Sequence, residues 1–240
     1  LGADLEWQGA TKTVIGTKGD LKVVLQINNT VAMVNGEEIE LDCPATIVSS
    51  RTLVPARFIA ESMGAKVEWD GENRTAVITS KEKLQEFQQV ITFNDTNLEA
   101  AVREEIGKPT GSITKVDVEE ISYLDARDRK IVDLEGIQNL NNLTKLYLGK
   151  NNIKNIEPLS SLTSLSILDL GDNSIKNIQS LEGLNSLTKL NLAYNQIIDI
   201  TPIEKLTNIS TLYLYYNPII DISAIKNLNN LKSLYIGSID

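Results

Sequence analysis

Histidine is absent from this chain of 240 residues. Its absence removes the commonest general base, the usual protein ligand of copper and zinc, and the side chain that titrates near neutral pH. Cysteine occurs once, at Cys43, so the sequence predicts neither an internal disulfide nor a cysteine-based metal cluster. Within IELDCPATI we interpret Cys43 as a small buried residue rather than a reactive thiol. We therefore expect no metal and no cofactor.

Basic charge and long apolar runs are also scarce. The chain has 23 Lys and Arg against 32 Asp and Glu, for a net charge of −9, so nucleic acid is an unsuitable partner. No apolar run approaches the ~18 residues that a membrane-spanning helix needs. The chain begins inside a motif, without an initiating Met or a signal peptide. We interpret it as a fragment whose signal and anchoring segments lie elsewhere.

A pattern that repeats every 22 residues dominates the second half. The pattern is L-x-x-L-x-L-x-x-N-x-I-x-x-I-x-x-L-x-x-L, and its copies open at Leu143, Leu165, Leu187, Ile209 and Leu231. A leucine-rich repeat of this length buries its apolar edge only by stacking on its neighbours. The period therefore predicts an α/β solenoid with a parallel sheet whose strands lie about 4.8 Å apart.

One asparagine recurs at the turn that ends each repeat strand, namely Asn151, Asn173, Asn195 and Asn217. Its amide is suited to pair with backbone groups that the bending chain leaves unsatisfied. The alternative is a polar binding row. At Ile239 the asparagine is lost, so the array either ends or is truncated there.

A second, weaker repeat occupies the first half, where residues 1–17 (LGADLEWQGATKTVIGT) match residues 63–79 (MGAKVEWDGENRTAVIT). Only the tail of the first copy is present, and we expect it to pack into the same sheet as its neighbour. Trp7 and Trp69 take the same place in both copies. Both lie in strands with alternating apolar residues, so we interpret them as core residues; the alternative is a sugar-stacking platform.

The complete copy predicts an α+β module of one antiparallel sheet and one helix. LKVVLQI predicts a strand, and Asn35-Gly36 predicts a hairpin turn. The segment from Pro55 to Gly64 predicts a helix, which a hairpin around Asp70-Gly71 follows. The segment RTLVPARFIAE-x-x-GAKVEWD resembles the copper amine oxidase N-terminal-like domain, often found in surface proteins of Gram-positive bacteria. The resemblance implies an accessory or envelope-associated module and not an oxidase, since a chain without histidine lacks the ordinary copper ligand.

Between the two repeat regions the sequence predicts a linker at 81–90 and a helical N-terminal cap at 91–120. Thr96 and Glu99 have capping-box spacing, and Gly107 stops the helix. The 22-residue frame extends back to a divergent first repeat with Arg129 in the asparagine position. Residues 91–240 thus resemble internalin-like leucine-rich repeat proteins of bacterial surfaces, which implies cell-surface display and protein binding.

The outward positions of the repeat strands carry five of the seven tyrosines of the chain. Tyrosine provides a large, stiff contact area at low entropic cost, which binding surfaces favour. The alternative is that strands simply favour aromatic residues. We predict a protein-binding face made of Tyr123, Asp125, Lys145, Tyr147, Asp169, Lys189, Asn191, Tyr213, Tyr215 and Tyr235.

The sequence predicts no enzyme. Asp125 and Asp169 lie two repeats apart, about 10 Å, on an exposed sheet that offers no reason for a raised pKa. We expect residues 1–80 to form the copper amine oxidase-like module and residues 121–240 to form the repeats. A contact with cell-wall polymer is an open alternative for residues 1–80. The expected role is a non-enzymatic, adhesin-like binding module outside the cell or on its surface. The alternatives are a structural envelope component and a carbohydrate-binding accessory.

Overall fold

The computed structural model describes residues 4–48 and 51–237. The chain divides into two compact units, residues 1–87 and 88–240. The expectation about Ile239 lies outside the described residues.

An antiparallel sheet of five strands, in the order β1-β2-β3-β4-β5, forms the centre of the first unit. Two separate two-stranded ribbons, β6–β7 and β8–β9, and two helices accompany it. The elements are β1 Asp4–Gln8, β2 Thr13–Lys18, β3 Leu21–Gln26, β4 Val31–Val34, β5 Glu37–Glu40, β6 Thr46–Val48, β7 Arg51–Leu53, α1 Ala56–Ser62, β8 Lys66–Asp70, β9 Thr75–Thr79 and α2 Lys81–Phe87.

The tail of the truncated copy does pack into its neighbour's sheet, as predicted. Its hairpin, β1–β2, joins through β2 to β3, from Thr13 opposite Gln26 to Lys18 opposite Leu21. One face of the sheet is covered by α1, whose Phe58 is buried in the core of this unit. Alternating apolar residues of β3 supply the other half of that core.

Helix α1 begins and ends where the sequence indicates. Pro55 is its N-cap, where the missing N–H costs nothing. Gly64 follows the C-cap with a φ of +77°, a left-handed conformation that favours glycine.

Two predictions about burial in this unit are wrong. Trp7 is 50% exposed and Trp69 is 62% exposed. Trp7 lies on the edge strand β1, and Trp69 lies on a ribbon of only two strands, so in each case too little structure covers the face that carries the ring. Cys43 is exposed because a bend at Asp42 and Cys43 interrupts the strand alternation and turns the thiol outward.

In the second unit, six parallel strands stack in register in the order β12 to β17. Each strand lies opposite the equivalent residues of the next repeat, as Leu124, Leu146 and Leu168 show. The helices and strands are β10 Val90–Ile91, α3 Thr96–Glu105, β11 Ile113–Thr114, α4 Lys115–Val118, β12 Tyr123–Asp125, β13 Lys145–Tyr147, β14 Ile167–Asp169, β15 Lys189–Asn191, β16 Thr211–Tyr213 and β17 Ser233–Tyr235, with 3-10 turns at Ile137–Asn139, Glu157–Ser161, Gln179–Leu181, Thr201–Ile203 and Ser223–Asn227.

Helix α3 begins one residue earlier than its capping-box spacing suggests. Asp95, not Thr96, is the N-cap, and its Oδ1 accepts hydrogen bonds from the backbone N–H groups of Asn97 (2.8 Å) and Leu98 (3.3 Å). An Asp side chain competes effectively with Thr for this position. The capping box occurs instead in α4, between Thr114 and Asp117.

Helices α3 and α4 share one continuous core with the repeats. Leu98, Val102 and Val118 are buried in the same cluster as Leu124 and the repeat leucines.

The divergent first repeat uses Arg129 to bind α3. Its guanidinium reaches Glu104 through two hydrogen bonds, Nη1 to Oε1 at 3.0 Å and Nη2 to Oε2 at 2.6 Å. The residue that breaks the repeat pattern therefore contacts the helix next to it.

The repeated asparagines satisfy backbone groups inside the turns, as predicted. The Oδ1 of Asn151 accepts from the N–H groups of Arg129 and Ile131, both at 3.0 Å. Its Nδ2 donates to the carbonyls of Ala126 (2.8 Å) and Leu148 (2.9 Å). The other three asparagines also donate to carbonyls of their own and the preceding repeat, and each accepts from one N–H of the preceding repeat. The row is structural, which leaves the strand face as the variable surface.

Candidate binding face of the repeat sheet

The short repeat strands present two rows of outward side chains. In each strand the middle residue is a leucine, buried in β12 to β16 and 38% exposed in the last strand, β17, so the first and third residues face outward. Parallel register aligns the first residues as Tyr123, Lys145, Ile167, Lys189, Thr211 and Ser233. The third residues align as Asp125, Tyr147, Asp169, Asn191, Tyr213 and Tyr235. Nine of the ten predicted site residues lie on these rows, and the tenth, Tyr215, lies two residues beyond Tyr213.

The first repeats carry an aromatic pair with a bound arginine. The rings of Tyr123 and Tyr147 have centroids 5.7 Å apart, and the Arg127 guanidinium lies 5.2 Å from the Tyr147 ring. Arg127 also donates from Nε to Asp125 Oδ1 at 2.9 Å and from Nη2 to Oδ2 at 2.5 Å. These hydrogen bonds hold the pKa of Asp125 below its usual value, while partial burial and the nearby Asp125 carboxylate raise the pKa of Tyr123.

At the other end of the sheet five tyrosines form what we name the tyrosine cluster: Tyr194, Tyr213, Tyr215, Tyr216 and Tyr235. Tyr213 and Tyr235 stack with centroids 4.4 Å apart at 5°, and Tyr194 stacks on Tyr216 at 4.4 Å and 23°. Tyr215 contacts both stacks edge-on, at 5.2 Å from Tyr194 and 6.4 Å from Tyr213. Partial burial, and then the neighbouring phenols, raise the pKa of Tyr194. The cluster is a continuous and partly exposed aromatic surface.

A shallow polar strip separates the aromatic pair from the tyrosine cluster. Asn191 Nδ2 donates to Asp169 Oδ1 at 2.7 Å, and that oxygen also accepts from the N–H of Gly171 at 3.0 Å. A Cβ on Gly171 would lie 2.7 Å from Asn191 Nδ2, so glycine leaves the room for this side-chain pair. The candidate face therefore has two aromatic ends and a polar centre.

The two predicted lysines lie on the first row. Lys189 Nζ is 5.7 Å from the centroid of the Tyr213 ring, close enough for a cation–π contact. Lys145 is exposed between Tyr123 and Ile167.

The predicted site residues omit three side chains that contact them or extend their aromatic cluster in the structure: Arg127, Tyr194 and Tyr216. Tyr194 and Tyr216 follow the strands and have φ values of +53° and +55°, so strand alternation does not point to them. Two features of the sequence could have identified them: they lie one repeat length apart, and all tyrosines lie in the second half of the chain. For Arg127 the signal was its outward position two residues after Asp125.

The described residues do not fit a copper centre. No group of three or more Cys, Asp or Glu side chains is placed to hold a metal ion in the part of the chain that the structure describes. Cys43 is exposed, and its neighbour Asp42 pairs with Arg57 at 3.5 Å. The same described segments contain no helix long and apolar enough to cross a membrane.

Comparison with known families identifies both regions of the chain. The copper amine oxidase N-terminal domain matches residues 1–78. Two leucine-rich repeat families match residues 141–197 and 185–227. The chain thus combines a copper amine oxidase N-terminal domain with leucine-rich repeats.

Solved structures with similar folds include two internalins from Listeria monocytogenes. Internalin C2 is 39% identical with a TM-score of 0.60, and the match covers 61% of this chain and 66% of that one. The internalin InlF is 32% identical with a TM-score of 0.59, and the match covers 61% of this chain and 44% of that one. Comparison with curated proteins gives no match. The repeats of this chain are internalin-like, and the chain spans less than two thirds of the length of either internalin.

Proposed function

We propose that the outward face of the repeat sheet binds a protein partner, with the tyrosine cluster as its centre. The observation that carries this proposal is that five tyrosines lie side by side on a partly exposed surface. Aromatic residues with a polar rim are typical of the centres of protein interfaces. The adjoining polar strip offers hydrogen-bonding groups of both kinds, which favours a partner that presents backbone or amide groups beside an apolar anchor.

Backbone strain supports the same proposal. Tyr194 and Tyr216 adopt left-handed φ values, at +53° and +55°. Such a conformation costs about 1–2 kcal/mol for an L-residue with a side chain, and bulky residues rarely adopt it. Lys150 and Asp172 take the same place in earlier repeats, so the fold accepts smaller or more flexible side chains there. The tyrosines therefore serve something other than the backbone turn.

The size of the face suits a stable complex. Six strands at the usual spacing span about 24 Å, enough for an interface of about 800 Å² per partner. An open repeat sheet of this kind binds by matching its shape to the partner rather than by enclosing a small molecule in a pocket.

We infer that residues 91–120 act as the N-terminal cap of the solenoid and that the repeats occupy 121–240. Helix α3 covers the edge of the first repeat strand, and Asp95 links the two directly. Its Oδ2 accepts from the N–H groups of Val132 (2.7 Å) and Asp133 (3.3 Å). A terminal repeat needs such a cover because its apolar edge has no neighbour. In the remaining chain we assign residues 1–80 to the copper amine oxidase-like module and 81–90 to a linker.

The internalin-like repeats support a non-enzymatic, adhesin-like protein that is secreted or displayed on the cell surface. A second candidate function concerns the first unit alone. Because Trp7 and Trp69 are exposed, their rings are available to stack on sugar, which favours binding of cell-wall polymer or another glycan by residues 1–80. Tryptophan fluorescence measured during titration with purified cell-wall polymer tests this role, and an unchanged spectrum argues against it.

The test of the main proposal is capture of partners by the chain and by a Tyr147/Tyr213/Tyr235→Ala variant. A Lys154/Lys176/Ile198→Ala variant is the control, because it removes exposed side chains that lie outside the sheet. We expect a protein from foreign cell-surface or envelope extracts to bind the native chain and the control but not the tyrosine variant. Equal binding by all three places the function away from this face.

A further inference from the structure

Two hairpins of the first unit are copies of one another. In β1–β2, Trp7 lies opposite Val14, and in β8–β9, Trp69 lies opposite Ala76. All five pairs of one ladder match the pairs of the other at a constant offset of 62 residues. Their turns match as well, since Lys12 and Arg74 have φ values of +53° and +52°.

The two hairpins differ in what lies along their second strand. Strand β2 pairs with β3, and Thr13 is buried while Val14 to Gly16 are half-buried. The equivalent residues of β9 are all exposed, with Val77 at 47% and Ile78 at 53%. Within the described residues β9 pairs only with β8, so its other edge is open.

The first hairpin shows which backbone groups the open edge offers. The carbonyl of Lys12 accepts from the N–H of Ile27 at 3.0 Å, so the backbone groups of Lys12 face β3. Backbone groups alternate along an antiparallel strand, and those of Val14 and Gly16 therefore face β3 too. At the constant offset, Ala76 and Ile78 direct their N–H and carbonyl groups to the open edge of β9.

We propose that the open edge of β9 is a strand-addition site whose occupant is β3 of a second copy of this chain. The internal repeat identifies the occupant, because a strand of the β3 sequence is what covers the equivalent edge within one molecule. In the association, β8–β9 of one molecule takes the place of β1–β2 on β3 of the next. Unpaired strand edges are the usual route to such exchange.

The hairpin to be displaced has less support than the one that replaces it. Leu5 on β1 is 77% exposed. Its equivalent on β8, Val67, is half-buried, and α1 packs on that strand. The first strand of hairpin β8–β9 is therefore packed against a helix in a way that β1 is not. The exchange keeps the same number of strand pairs in each sheet. Two molecules that exchange hairpins reciprocally form a closed twofold dimer, and a one-way exchange continues head to tail into larger species.

Sedimentation velocity of the full chain tests the proposal over a range of concentrations, with the Ala76→Pro variant as the diagnostic change. The Ala76 N–H faces away from β8, so proline leaves the β8–β9 ladder intact and removes a donor from the open edge. We expect the native chain to form dimers and larger species as concentration rises and the variant to lose at least tenfold in association.

A disulfide that holds β2 on β3 tests the exchange by preventing release of the first hairpin. Thr17 and Lys22 lie opposite each other in β2 and β3, and the backbone of Lys22 hydrogen-bonds to Asn35, the residue after β4. They are thus a non-hydrogen-bonded pair, whose short Cα separation suits a disulfide. Thr17→Cys/Lys22→Cys, made with Cys43→Ser, should stay monomeric when oxidised and associate after reduction.

Three results overturn the proposal. The first is a native chain that remains monomeric up to about 1 mM. The second is association that Ala76→Pro or the oxidised disulfide leaves unchanged. The third is association abolished by Tyr147/Tyr213/Tyr235→Ala, which would place the contact between molecules on the repeat sheet.

Discussion

Replacing Asn151 by alanine should destabilise the repeat unit, while the same change at the adjacent Asn152 should not. Asn151 is 7% exposed, and its side chain binds backbone groups from two successive repeats. Asn152 is exposed. The two positions share a residue type and a turn, so a difference between the two variants reports the effect of burying the asparagine side chain.

The size of the effect follows from the groups left without partners. Alanine at 151 leaves the N–H groups of Arg129 and Ile131 without their acceptor and removes a donor from the carbonyls of Ala126 and Leu148. Each buried N–H without a partner costs about 1–3 kcal/mol. Because Arg129 is partly solvated and water can enter the space, we expect a loss of about 3 kcal/mol, whereas an exposed substitution stays within about 0.5 kcal/mol. With an m-value of about 2 kcal/mol/M, the urea midpoint falls by about 1.5 M.

The distribution of aromatic residues gives an assay for each unit. Both tryptophans lie in the first unit and all seven tyrosines in the second, so tryptophan fluorescence follows one and tyrosine near-ultraviolet circular dichroism follows the other. Asn151→Ala should move the tyrosine transition and leave the tryptophan transition in place. Equal midpoints for Asn151→Ala and Asn152→Ala would refute the structural role of the asparagine row.

Three further substitutions test the cap, a glycine and the tyrosine cluster. Asp95→Ala should lower the stability of the second unit by about 1–2 kcal/mol, measured by urea unfolding, because it removes the N-cap of α3. Burial alone would raise the pKa of Asp95, but hydrogen bonds from N–H groups, led by that of Val132, hold this pKa below its usual value. The stability that Asp95 contributes is therefore fully present above the unfolded pKa and is lost as pH falls through the folded pKa. A loss of stability in Asp95→Ala that is the same at pH 7 and pH 2 would contradict this account. Gly136→Ala should lower the free energy of unfolding by more than about 3 kcal/mol in the same assay, because Gly136 has a φ of +106° and a Cβ would lie 2.5 Å from the Thr92 carbonyl oxygen. The control is Gly19→Ala, which lies in open space with a φ of +57° and should cost about 1 kcal/mol. Tyr194→Asn should leave stability within about 1 kcal/mol, because relief of left-handed strain offsets the lost stacking, yet weaken capture of the partner; an unchanged capture removes Tyr194 from the binding face.

The repeat unit could be predicted from the sequence because its period fixes each position. Once Leu146 is assigned to the core, an interval of 22 residues assigns Leu168, Leu190 and Leu212 as well, and the register of the parallel sheet follows. The asparagine row followed from the same interval. No comparable constraint acts on the first unit, where only the tail of one copy and one complete copy are present.

The errors at the two tryptophans have one physical origin. Alternation along β1 and β8 correctly predicts strands, but it does not say whether another layer covers the face that carries Trp7 or Trp69. Cover depends on contacts between distant segments, which a local pattern does not contain. The bend at Cys43 and the choice of Asp95 over Thr96 as the cap are decided by local geometry at the scale of one residue.

The structure separates the tyrosines into two groups by what the fold requires of them. Tyr147 and Tyr213 stand at the outward end of regular strands, where an aromatic residue costs nothing in backbone energy. Tyr194 and Tyr216 stand at left-handed positions, where the same residue is strained, and they stack on each other. Lys150 and Asp172 take the equivalent left-handed positions in earlier repeats, so the turn itself does not require an aromatic residue there. We infer that this stacked pair, which strand alternation does not require, belongs to the proposed binding face beside Tyr215.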